Sequence, residues 1–153
     1  MKRILLSLAL MLLLLPGTAS AVGTLEDTVY HVAGDLYVMR LTWTAGAGGV
    51  FDDATTSSVI SGLVGVVVTN PGSTAPTDNY DIYLYDVDGV DFMGGTLANR
   101  DTAETEQVLP KVHADGTYTI FGSRPVYGKV LVRVSNNSVV SATGVIRIFF
   151  TKE

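Results

Sequence analysis

The stretch Asp86-Val87-Asp88-Gly89-Val90-Asp91 sets three carboxylates close together around a glycine. Carboxylate oxygens are the hard ligands that calcium takes, and a glycine gives a cation loop its sharp turn. The spacing is not that of an EF-hand loop, which needs D-x-[DN]-x-[DN]-G, a Glu at its twelfth position and flanking helices. Asp86, Asp88 and Asp91 are therefore candidate calcium ligands only in a loop of another kind. The competing reading is a hairpin with Asp88 and Gly89 at its tip. A two-residue loop there sets Val87 opposite Val90 and Asp86 opposite Asp91. The like charges then face each other at a cost that either a cation or splaying into water relieves.

Tyr83 and Tyr85 precede this stretch and alternate with Ile82 and Leu84. In an extended chain that alternation puts the two tyrosines on the face shared with Asp81 and the aliphatic residues on the other. Outward aromatic rings suit protein contact or stacking on sugars, and Tyr83 and Tyr85 are the candidate contact residues; if both sheet faces are covered they are core instead. The other acidic pairs, Asp52 with Asp53 and Asp78 with Asp81, occupy turn and strand-end positions that aspartate favours. Nothing sets two of these carboxylates at a glycosidase separation. His31 and His113 have no companion His at ligand spacing, and a triad of His113, Asp115 and some serine lacks a nucleophile elbow. Gly46 to Gly49 lacks the Lys and Ser or Thr of a phosphate loop. Asn136-Asn137-Ser138 matches a glycosylation acceptor but reads equally as a polar turn. The absence of cysteine excludes disulfides, thiolate metal sites and a cysteine nucleophile. These readings imply no cofactor beyond a candidate calcium ion and no enzyme activity.

The elements that carry these residues are strands. Period-two alternation recurs along the chain, and a 3.6 period is found nowhere convincingly. Tyr37, Met39, Leu41 and Trp43 share one parity, and with Thr28 to Ala33 they predict a hairpin over 28–44 turning at Gly34 and Asp35. Thr44 to Ser57 is rich in small and turn-forming residues and reads as a flexible loop, a further candidate contact surface. Leu63 to Val68 is apolar or glycine throughout, which predicts a central strand with both faces covered. Asp101 and Glu104 resemble a helix cap, which predicts one helical turn over 102–106. Val130, Val132 and Val134 share an inward parity, as do Ile146, Ile148 and Phe150, with Arg133 and Arg147 facing away. Eight to nine short strands separated by turn signals predict an all-β fold, an antiparallel β-sandwich or small barrel.

The chain has 153 residues and a net charge of −5. Its first 21 residues combine Lys2 and Arg3, an apolar run from Ile4 to Leu15, a break at Pro16-Gly17 and small residues at Ala19 and Ala21. As a helix the apolar run extends about 18 Å, short of the ~30 Å hydrocarbon core. The pattern is that of a secretory signal peptide cut after Ala21. This leaves a single domain over 22–153, exported to periplasm, cell surface or medium, with no stable membrane insertion. Removing two cations makes that domain more acidic still, which argues against nucleic acid as a partner. The final Thr143 to Thr151 run could add as a strand to a neighbouring subunit if it lies at a sheet edge.

The segment PTDNYDIYLYDVDGVDFMGGTLANRDTAETEQVLP, Pro76 to Pro110, resembles stretches of small phage and prophage-encoded β-rich proteins from virion structural gene clusters. Weaker similarity runs from about Val22 through the final strand. The resemblance implies virion association or assembly and brings no active-site residues with it. The leader sets this chain apart from particle proteins that assemble in the cytoplasm and points to an exported relative. The expected function is that of a non-enzymatic structural or interaction module with a protein or self-assembly partner. The alternative is a secreted module that binds carbohydrate or calcium.

Overall fold

A computed structural model describes residues 22–114 and 119–152, so the expected leader over 1–21 lies outside the described residues. The protein is all-β. Its strands are β1 (Thr24–Ala33), β2 (Leu36–Thr44), β3 (Phe51–Thr55), β4 (Ile60–Pro71), β5 (Asp81–Tyr85), β6 (Glu106–Val108), β7 (Lys111–Ala114), β8 (Thr119–Phe121), β9 (Arg124–Gly128), β10 (Leu131–Ser135) and β11 (Thr143–Lys152). All their pairings are antiparallel. The large sheet runs β1-β2-β11-β4-β6, with β9 also on β4; the small sheet runs β3-β10-β5, and β7-β8 form a separate hairpin. The described strands exceed the eight or nine expected because β3 lies in a segment that reads as loop and β6, three residues long, leaves no readable alternation.

The core lies between the two sheets because each supplies one apolar parity. Met39, Leu41 and Trp43 of β2 and Ile146, Ile148 and Phe150 of β11 meet Ile82 and Leu84 of β5 and Val132 and Val134 of β10. A fully buried aliphatic side chain of this kind contributes about 1.5–3 kcal/mol. The chain after β5 adds Phe92, Met93 and Leu97, fully buried although they lie in turns. That segment returns alongside β5, with Phe92 N donating to Leu84 O and Ile82 N to Leu97 O.

Four expectations change. The segment 44–57 is no flexible loop: a 3-10 turn at Ala47–Gly49 leads into β3, whose Phe51 is buried against Trp43. A bulge lets Ala54 pair with Val132 and Phe51 with Val134, so the inward residues are three apart and the period of two is hidden. Strand β4 is hydrogen-bonded on both edges, as a central strand should be, but its outer face is open. Leu63, Val66 and Val68 line a groove of about 450 Å³ there with Phe149. The helical turn over 102–106 does not form. Asp101 caps the amides of Ala103 and Glu104, and Glu106 then begins β6 instead of continuing a helix. Finally, the Thr143 to Thr151 run is no edge open to a neighbouring subunit: β11 is hydrogen-bonded to β2 on one side and β4 on the other.

Candidate aromatic contact face

Strand β5 runs along one edge of the small sheet, and its alternation sends Ile82 and Leu84 into the core and Tyr83 and Tyr85 outward. The tyrosines are half-buried, outside the core cluster, with ring centroids 6.1 Å apart and planes 13° from parallel. Register then brings in a neighbour. Arg133 of β10 lies opposite Tyr83, and its guanidinium sits 5.3 Å from the Tyr85 ring centre. That cation is held from the far side by Asp53 of β3: Nε donates to Oδ1 at 2.8 Å, and Nη2 to Oδ2. A bidentate Arg–carboxylate fork fixes orientation as well as charge. Asp53, Arg133, Tyr85 and Tyr83 thus form one row across all three strands of the small sheet.

The electrostatics follow from this row. The Arg133 hydrogen bond holds the Asp53 carboxyl below its usual value, and Asp53 pushes the guanidinium up, so both stay charged. The negative charge of Asp81, then burial, raise the Tyr83 phenol. Its hydroxyl therefore stays neutral at physiological pH, able to donate and accept. The result is a flat aromatic surface with an internally neutralised charge pair at its side, suited to stacking and hydrogen bonding.

The structure does not bring Asp86, Asp88 and Asp91 to a common point. The hairpin loop has three residues, not two. Gly89 N donates to Asp86 O and Asp86 N to Val90 O, with Gly89 at φ 76, a type I turn closed by a glycine bulge. Asp91 therefore pairs with Tyr85, and the expected Asp86–Asp91 opposition is absent. Asp86 Oδ1 accepts from the amides of Asp88 and Val90, while Asp91 accepts from those of Met93 and Gly95. These carboxylates shape the backbone, the role that makes aspartate a turn residue. Among the described residues, no three His, Asp or Glu side chains gather to hold a metal ion.

The remaining candidates have structural work. Asp81 is buried and accepts from Asn99 N and from the Asn136 side-chain amide, so the nitrogen of the Asn136 acceptor pattern is engaged. His31 Nε2 lies 2.7 Å from Gly34 O at the β1-β2 turn. His113 is exposed on β7, and its supposed partner Asp115 lies outside the described residues. Sequence reading missed the Asp53–Arg133 pair. The available signal was Arg133 facing away from Val132 and Val134, but nothing local tied it to a residue 80 positions earlier in the chain. No protein-family model matches the chain, and no curated protein or solved structure matches it.

Proposed function

We propose that this chain is an exported, non-enzymatic β-sandwich acting through its surface, as a structural or interaction module in an envelope or phage-particle-like assembly. Tyr83, Tyr85 and Arg133 form its contact face. The observation that carries the reading is the row of parallel tyrosines backed by a locked Arg133–Asp53 pair, a rigid aromatic patch of the composition that dominates binding energy at interfaces. The leader pattern supports export, and the Pro76–Pro110 resemblance supports assembly.

A photo-crosslinking residue placed at position 85 in the producing cell tests this. The expected result is one discrete adduct at position 85 and none at the exposed control position Val140, in the crossing between β10 and β11. Adducts that do not differ between the two sites overturn it. The parallel rings with polar groups beside them also favour a second reading, carbohydrate stacking. In polysaccharide-containing gels that reading predicts retarded migration, abolished by Tyr83→Ala with Tyr85→Ala; unchanged migration removes it.

A further inference from the structure

The outer face of the large sheet holds a feature that the contact face does not use. Arg40 of β2 and Arg147 of β11 lie directly opposite each other in register. Like charges so placed destabilise a strand pair. Neither has a carboxylate within ion-pair distance among the described residues. Apolar groups lie to one side of them: Phe149 stands in the next row of β11 and Val68 flanks Arg147 on β4 beside the open groove, whereas Thr28 pairs with Arg40 on β1. Two guanidiniums beside apolar surface call for a partner that is acidic and apolar together.

The chain itself carries such a piece. At the β5 hairpin tip Val87 and Val90 are 66% and 43% exposed and bracket Asp88. The carboxylates of Asp86 and Asp91 are taken by backbone amides, whereas no described group binds that of Asp88. We propose that the tip of one copy docks on the outer face of the large sheet of a second copy, with Asp88 between Arg40 and Arg147 and the two valines on the apolar residues. This rests on the assembly reading and names its partner. Because tip and receiving face are different patches, the contact is heterologous and propagates head to tail, giving a ring or an open chain.

Sedimentation velocity on the purified protein, from low to high micromolar, tests it with Asp88→Arg and with Arg40→Glu plus Arg147→Glu. Wild type should show mass rising with concentration, and each variant alone should associate at least about tenfold more weakly. An equimolar mixture of the two variants should recover association, since each then meets a complementary charge. Recovery also requires both to be folded, so it separates a broken contact from a broken fold. Variants that associate like wild type overturn the contact, as does failure to recover on mixing when both melt like wild type. A monomeric wild type whose position-85 adducts persist overturns this contact and leaves the contact face standing; a monomeric wild type without those adducts overturns both.

Discussion

At the residue scale, aspartate in this protein serves mainly as a backbone partner. Asp27 shows it most clearly: from edge strand β1 it accepts from Ser57 N at 2.6 Å and Ser58 N at 2.9 Å, tying the edge to the β3-β4 link. Burial pushes its carboxyl up, but the hydrogen bonds from Ser58 and Ser57 outweigh that and hold it below its ordinary value. A carboxyl depressed in the folded state adds stability that is complete above its unfolded value, about 4, and is lost as pH falls through the folded one. Asp27→Asn should therefore cost about 1–2 kcal/mol at neutral pH. In urea titrations across pH, the gap from wild type should narrow as pH falls below the unfolded value of about 4; a gap that stays constant means the charge is not what matters. Sequence reading placed Asp52, Asp53, Asp78 and Asp81 at turns and strand ends, positions aspartate favours, and gave Asp27 no part. It could not show which amides they would meet, because Asp27 and Ser57 are 30 residues apart.

At the element scale, legibility followed the regularity of pairing. The β5 alternation was readable because nothing interrupts it, and so were β2 and β11. Strand β3 was not, because its bulge breaks the period among residues that otherwise look like loop. The β5 hairpin was recognised from Asp88-Gly89, yet its loop is one residue longer than that dipeptide suggests, since Gly89 occupies the positive-φ bulge position. Gly89→Ala should accordingly lower stability by about 1 kcal/mol in thermal melts; no change would mean the turn adapts. Gly144 plays a different part: a Cβ there would press on the Trp43 indole, with Nε1 only 2.5 Å away. Gly144→Ala should cost about 1–3 kcal/mol by overpacking the β2-β11 pair. A wild-type melting midpoint for that variant would mean the indole has room to move.

At the scale of the whole molecule, the two sheets present two outward surfaces. The small sheet presents the tyrosine row and the acidic tip, and the large sheet presents Arg40, Arg147 and an apolar groove. The all-β class was legible because alternation sums over many strands. The open outer face of β4 was not, because an all-apolar run reads the same whether its second face meets protein or is left for a partner. The most direct test of the account is tyrosine iodination read by mass spectrometry, comparing the chain in the envelope or particle fraction of its producing cell with the dissociated chain. Tyr83 and Tyr85 should be shielded in the first and reactive in the second, with half-exposed Tyr127 reactive in both. Equal reactivity of Tyr83 and Tyr85 in the two samples would contradict a contact role for that face.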